Sequence, residues 1–404
     1  MKIAILGYGT IGSGVFEVFG TNVDNIKKRA GEEITVKRVL DLREFPGDPV
    51  EACLTHDFRD IADDPEIECV VETMGGNEPA YTFLKELLLK GKSVCTSNKE
   101  LVANHGTELL EIARQKKINF LFEASVGGAI PIIRPLMESF SGDEIIDICG
   151  IINGTTNYIL TKMDRDGADY ADVLAEAQAK GFAERNPEAD VEGHDAARKI
   201  AILASLACGA EVDYRDVYTE GITKLTALDF EYARRMGRVI KLIASMRKID
   251  GKVFSTVRPM LIPAETPLYT VNDVFNGILV NGRFSKSIMF YGSGAGKLPT
   301  ASAVAADVIE VAKNRGRNIP IVWSNKKQPI EDRMEQKNDF FIRVKHSDRH
   351  KAKEVFSGVH IDELKPENGE FAFIARNMAE KDYEEAAKKV DIINKIRLLN
   401  VAQR

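Results

Sequence analysis

The chain has 404 residues, enough for two or three domains, and its 44% hydrophobic and 29% charged residues are the balance of a soluble globular protein. A formal net charge of -6 argues against nucleic acid or an anionic membrane as partner, and no apolar run reaches the roughly 18 residues that span a bilayer. Five scattered cysteines without a CxxC pair, six histidines without ligand spacing and a strand pattern directly after Met1 point to a reduced cytoplasm, with neither disulfides, zinc nor a cleaved leader.

Residues 2–6, KIAIL, read as a short buried strand. Gly7-Tyr8-Gly9-Thr10-Ile11-Gly12 follows, and then the helical SGVFEVF. This is a dinucleotide fingerprint in its required context. Gly7 allows the tight turn, Gly9 lets the backbone approach a pyrophosphate, and Gly12 lets helix and strand pack closely. The pyrophosphate would sit on the helix N-terminus, whose free N–H groups and dipole favour an anion. A second strand, TVKRVL, ends at Asp41, placed to accept from the adenine-ribose hydroxyls and so to favour NAD over NADP. Arg38 and Arg43 flank it and could hold a phosphate instead. Asp41 lies further from Gly12 than the usual roughly 20 residues, so a longer first helix or a loop must intervene.

Strand ECVVET (68–73) delivers Thr73 and Gly75-Gly76 to a carboxyl sheet edge, where open α/β sheets bind ligands. Pro79 opens the next helix. Strand KSVCTS (92–97) brings Asn98-Lys99-Glu100 to the same edge, which makes Lys99 a candidate near the nicotinamide. A helix over 106–115 leads to strand INFLFEA and the turn Glu123–Pro131, whose glycines let carbonyls converge. With Glu123, that turn offers oxygen ligands to a hard cation.

Beyond residue 135 the pattern predicts a strand over 143–154 and a helix from GTTNYILTKM, capped by Thr155 or Thr156. Helices follow over 168–180, 194–208 and Asp229–Met246, then strands at 253–262, 277–282 and 287–292. The run from Lys180 to Lys199, KGFAERNPEADVEGHDAARK, is the least ordinary stretch. Glu184 and Asp190 lie in a loop punctuated by Gly181, Pro187 and Gly193. Asp195 and Lys199 then share one face of a helix that is apolar nearly all round, hence buried. A buried ammonium is expensive unless paired. Lysine and carboxylates together suggest a site for a small substrate carrying an amine.

Gly292–Gly296 is a second glycine-rich turn, preceding the small-residue helix PTASAVAADVIEVAKN. Residues 316–337 read as a polar linker. The remainder reads strand–helix–strand–strand–helix–strand, a ferredoxin-like βαββαβ module. The fold expected is thus α/β: a Rossmann doubly wound parallel sheet over 1–134, completed by a helix at 297–315, then a central α/β domain over 135–296, the linker, and the module over 338–404.

GYGTIG, TSNK, EASVGGAIPII, NGTTNYIL, the run GFAE…DVEGHDAARK and YGSGAG…PTASAV occur in this order. With these motifs, residues 1–315 resemble the homoserine dehydrogenase family. The resemblance implies reversible reduction of L-aspartate 4-semialdehyde to L-homoserine by NADH or NADPH, in threonine, methionine and isoleucine biosynthesis. It implies a homodimer, or homotetramer, built through the central catalytic domain. It makes Lys199 the proton donor to the carbonyl oxygen and Lys99 its catalytic and substrate-binding partner. Glu184 would hold the substrate amine, and Asp190 and Asp195 would position the substrate and Lys199. Thr73, Lys99 and Gly296 would touch the cofactor. Glu123 with the carbonyls of Val126, Gly128 and Ile130 would bind a sodium ion. The C-terminal module looks like an ACT domain, although His346-Ser347-Asp348-Arg349-His350 has neither the proline nor the glycine of the usual effector-binding turn. Leu40 also departs from the arginine that many relatives carry. Two other readings fit part of the pattern: an oxidoreductase acting on another amino-acid carbonyl or imine, and a non-catalytic sensor of dinucleotide and amino acid.

Overall fold

The computed structural model describes residues 1–366 and 368–400. The chain forms two compact units: Met1–Ile148 with Arg198–Asp216 and Val280–Pro329, and Cys149–Ala197 with Val217–Leu279 and Ile330–Arg404.

The first unit is built on β1 (Lys2–Leu6), β2 (Thr35–Leu40), β3 (Leu54–Thr55), β4 (Ile67–Glu72), β5 (Ser93–Thr96) and β6 (Phe120–Leu121). They form one sheet in the order β3-β2-β1-β4-β5-β6, with every pair parallel. This is the doubly wound dinucleotide-binding order. The central strands β1 and β4 bury Ile3–Leu6 and Cys69–Val71 because such a sheet is covered on both faces, whereas β2 keeps Lys37 and Arg38 only partly buried. Helix Thr10–Thr21 follows the glycine turn, and a second helix, Val23–Ala30, supplies the extra length that separates Gly12 from Asp41. Helix Lys297–Lys313 returns to this layer. Its small residues admit close approach: a Cβ on Gly14 would lie 2.9 Å from Lys297 Cγ and 3.1 Å from Ala301 Cβ. The stretch expected to be a linker forms a short strand, Ser324–Lys327, paired with Ala210–Glu211.

A larger sheet carries β7 (Ile145–Ile151), β8 (Arg238–Ile249), β9 (Lys252–Pro263), β10 (Phe275–Gly282), β11 (Lys337–Lys345), β12 (Ile361–Glu363), β13 (Glu370–Ala379) and β14 (Ile392–Leu398). Their order is β10-β7-β8-β9-β14-β11-β13-β12. The helix expected over Asp229–Met246 is corrected: it spans Ala227–Arg235 and stops where Gly237 takes a left-handed φ of 64°. RVIKLIASMRKI is instead a strand of a hairpin, paired from Arg238↔Pro263 to Ile249↔Lys252. Asp250-Gly251, both at positive φ, is the two-residue turn that suits strand twist. The C-terminal module is βαββαβ as expected. Its last strand continues the sheet, β14 lying parallel to β9 through Met260↔Arg397 and Leu261↔Leu398.

Lys241 on β8 is buried, and its Nζ donates to Val271 O (2.6 Å), Asn272 Oδ1 (3.0 Å) and Asn157 Oδ1 (3.1 Å). Burial pulls it down from the ordinary lysine value to about 8, against the pull of Asp164 and Asp273 and aided by Arg165. Above pH 8 the folded chain gives up this proton, while the unfolded chain keeps it until near the model-peptide value of about 10.4. The unfolded state therefore binds more protons in that window, and Lys241's contribution to stability rises with pH across it. Urea unfolding at pH 7, 8, 9 and 10 is expected to show wild type gaining on Lys241→Met as pH rises; a constant difference would refute this.

Candidate active site

In the first unit the site begins at the carboxyl edge of the parallel sheet. Gly7 takes φ 93°, and a Cβ on Gly12 would lie 1.9 Å from the Gly7 carbonyl and 2.8 Å from Thr73 Oγ1. Only glycine closes the turn this tightly. Gly9 is the N-cap of helix Thr10–Thr21, offers no side-chain cap, and would have nothing within 4 Å of an added Cβ. Open space in front of uncapped helix N–H groups is the cradle a pyrophosphate needs, so these residues fit a dinucleotide. Ile11 packs partly buried against the core. Tyr8 is held by edges of Phe16 and Phe45, and its hydroxyl donates to Asp48 (2.9 Å), so its role is to brace the turn.

Asp41 is tied to the same turn. It accepts Tyr8 N–H (2.7 Å), and Arg43 spans both its oxygens through Nε and Nη2 at 2.9 Å. The Arg43 hydrogen bonds hold the Asp41 carboxyl far below the usual carboxylate range. Thr73 Oγ1 donates to the carbonyls of Leu6 (3.1 Å) and Gly7 (3.0 Å).

Lys99 is placed differently from the strand end expected. Its helix runs Lys99–Lys116, beginning seven residues earlier than the pattern suggested, because Asn98 Oδ1 caps Leu101 N–H (3.1 Å). Lys99 is thus the first residue of a helix, half-buried. Sequence reasoning missed Glu72, which ends β4 and is fully buried. It accepts Met74 N–H (2.7 Å), Gly75 N–H (3.1 Å) and Thr96 Oγ1–H (2.5 Å). Asn98 Nδ2 donates to Gly76 O (2.6 Å), completing the link between the Thr73–Gly76 and Thr96–Lys99 loops. Burial pushes the Glu72 carboxyl up, against the hydrogen bonds that favour its charged form. An acid closing an apolar strand before a Gly-Gly pair was the available signal.

The Glu123 turn is braced from within. The Glu123 carboxylate accepts N–H groups of Ile132 (2.6 Å), Ile133 (2.8 Å) and Arg134 (2.8 Å). Asp307 accepts Glu123 N–H (2.9 Å) and pairs with Arg134 (2.7 Å). Burial first, and then the Glu123 charge, push Asp307 up to about 7. Gly128, at φ 59°, abuts the second glycine turn, where a Cβ would lie 2.4 Å from Gly294 O, and Ala129 N–H donates to Ser293 O (3.0 Å). With the Glu123 side chain committed to three N–H groups, main-chain carbonyls are what this turn offers a cation, and carbonyl oxygens suit a hard one. Among the described residues no group of three His, Cys, Asp or Glu is poised for a metal. Gly296, at φ 115°, caps helix Lys297–Lys313.

In the second unit, helix Gly154–Asp166 is capped by Asn153, not by Thr155 or Thr156. Thr155 Oγ1 instead donates to Phe182 O (2.7 Å), and Tyr158 packs its ring edge against Phe182. These contacts pin the turn that carries Glu184, an exposed residue whose carbonyl accepts from Gln178 (3.0 Å). Asn153 Nδ2 donates to Asp190 Oδ1 (2.7 Å) and Asp195 Oδ2 (3.0 Å), so the structure brings these two predicted carboxylates together. Gly193, at φ 83°, lies so close to Thr219 and Val257 that a Cβ would sit 2.9 Å from each. Helix His194–Cys208 then carries Asp195, buried at 4% exposure, and one turn later Lys199, buried at 8%.

By class this is a dinucleotide-dependent dehydrogenase: the glycine turn leaves room for a pyrophosphate at an uncapped helix start, and the buried lysine stands one helical turn from a buried carboxylate. Comparison with known proteins narrows it. The family model for the homoserine dehydrogenase NAD binding domain matches residues 7–123, and the homoserine dehydrogenase model matches 131–309. Homoserine dehydrogenase of Bacillus subtilis is 37% identical over 426 residues, covering 100% of this chain and 96% of the relative. The crystal structure of a homoserine dehydrogenase from Thiobacillus denitrificans matches with a TM-score of 0.91 at 34% identity, over 99% of this chain and 98% of that one. A hyperthermophilic archaeal homoserine dehydrogenase in complex with NADPH matches with a TM-score of 0.65 at 26% identity, over 80% of this chain and 99% of that one. The chain belongs to the homoserine dehydrogenase family. No helix among the described residues is long and apolar enough to cross a membrane.

Proposed function

We propose that the protein catalyses the reversible, NAD(P)-dependent interconversion of L-homoserine and L-aspartate 4-semialdehyde, in the cytoplasmic synthesis of threonine, methionine and isoleucine. The observation that carries this reading is Lys199, buried at a helix start one turn beyond Asp195, itself gathered with Asp190 by Asn153. The nicotinamide, when bound, supplies or takes the hydride. Lys199 gives the carbonyl oxygen its proton, and Lys99 adds positive charge beside the substrate. Glu184 takes the substrate ammonium, with Asp190 and Asp195 holding substrate and lysine in register. The glycine turn Gly7–Gly12, Thr73, Lys99 and Gly296 hold the dinucleotide. Asp41 carries its charge already paired with Arg43, so both ribose and 2′-phosphate forms have a partner there.

Residues 1–134 with 297–315 form the dinucleotide-binding domain in this reading, and 135–296 the substrate and dimerisation domain. Glu123 with the carbonyls of Val126, Gly128 and Ile130 would hold a sodium ion, and the module over 338–404 is ACT-like. The deciding assay is aspartate-semialdehyde-dependent oxidation of NADH against NADPH, with and without threonine. Turnover with either dinucleotide supports the assignment. No turnover with semialdehyde, but turnover with another amino-acid carbonyl, would replace it.

A further inference from the structure

Asn153 stands apart because every hydrogen-bonding capacity of its amide is used, and it is 6% exposed. Its Oδ1 accepts Thr156 N–H and Oγ1–H, both at 2.9 Å, which closes the first turn of helix Gly154–Asp166. Its two Nδ2 hydrogens go to two different carboxylates, Asp190 and Asp195. Those partners sit on separate elements, the turn Glu188–Val191 and the start of helix His194–Cys208. Each of the three backbones is fixed on its own account. Asn157 Nδ2 anchors the first helix to the carbonyls of Val271 (3.2 Å) and Phe275 (3.0 Å). Ile222 N–H donates to Val191 O (2.8 Å), and Gly193 N–H to Asp190 O (3.0 Å).

Two carboxylates brought onto one amide repel each other. The two Nδ2 hydrogens of Asn153 give each carboxylate a hydrogen bond, which offsets that repulsion. We infer that Asn153 is a positioning residue that keeps Asp190 and Asp195 juxtaposed for the substrate ammonium and for Lys199, through its two Nδ2 donors and independently of its helix cap. The inference rests on the reaction proposed above for the roles of Asp190 and Asp195.

Two substitutions separate the clamp from the cap, since serine and aspartate cap helices about as well as asparagine. Asn153→Ser keeps the cap and removes the bridging donors. Asn153→Asp keeps size and cap but adds a third carboxylate. Both proteins are expected to bind dinucleotide as tightly as wild type; Asn153→Ser should melt close to wild type, and Asn153→Asp lower because its third carboxylate is buried, so its rates are read per folded protein. Losing hydrogen bonds to charged groups should cost Asn153→Ser about ten- to a hundredfold in kcat/KM for the amino-acid substrate, and Asn153→Asp more. A purely capping role predicts wild-type kcat/KM for both, and that result would overturn the inference. Crystal structures of the two variants give an answer that needs no turnover: Asp190 and Asp195 should separate, and carboxylates left in place would refute the clamp. A wild type that fails to oxidise L-homoserine would strike the proposed reaction alone, and the carboxylate positions would then judge Asn153.

Discussion

Lys199→Ala should lower kcat for semialdehyde reduction by roughly 10²–10⁴-fold, the contribution typical of a positioned acid, with dinucleotide affinity nearly unchanged. The lysine is buried inside an apolar helix, at 8% exposure, so it does no solubilising work. Alanine fits the helix at least as well. Removing a buried charge also costs stability, so the deficit is read as turnover per folded protein, after circular dichroism has set the folded fraction of the variant. Lys199→Arg is expected to fail nearly as badly, because a guanidinium keeps its proton at any working pH. Steady-state rates paired with dinucleotide titration by fluorescence quenching make the measurement. Wild-type turnover in Lys199→Ala would remove this residue from the chemistry.

The nucleotide-binding half of the fold was legible in the sequence for a physical reason. Strands covered on both faces are rich in apolar, β-branched residues, so β1 and β4 stood out, the first of them ended by the glycine turn. The stretch after Ala227 was harder. Arg238–Ile249 has residues that suit a helix as well as a strand, and only the Asp250-Gly251 pair marks the hairpin. Lys199 could be placed because it follows a local signal, an apolar helix start; Lys99 was placed only by the strand before it, and the Asn98 cap that makes it a first helical residue went unread. Glu72 and Asn153 could not be placed. What defines them is the company they keep, and the partners of Asn153 lie 37 and 42 residues away in sequence. A lone asparagine before a helix reads as a cap and nothing more.

The same non-local logic hides the charge cluster that fastens β14 to β9, where Glu380→Ala is expected to destabilise the protein by about 3–5 kcal/mol. Glu380 is fully buried at the start of helix Glu380–Ala387. Its Oε1 accepts from Arg397 Nε (2.5 Å), Asn338 Nδ2 (2.8 Å) and Arg258 Nη1 (2.9 Å), and its Oε2 from Arg397 Nη2 (2.6 Å) and Arg333 Nη1 (3.2 Å). Glu220 takes the other side of Arg397 (2.7 Å) and Lys395 (2.6 Å). Burial alone would raise the Glu380 carboxyl, but Arg397 first, then Arg258 and Arg333, hold it below the ordinary value. Removing one carboxylate leaves two buried guanidiniums short of an anion, which is far costlier than losing an exposed pair. The sign with pH follows from the lowered value. Glu380 stabilises fully above the unfolded carboxyl value of about 4.3, and its contribution fades as pH falls through the folded one. Urea unfolding of wild type and Glu380→Gln from pH 3 to 7 should therefore show a gap that is widest at pH 7 and narrows in acid. Because the cluster is shielded from solvent, 0.5 M salt should leave that gap nearly intact. A gap that salt erases would mean the cluster is solvated and only loosely holds the C-terminal strand to the sheet.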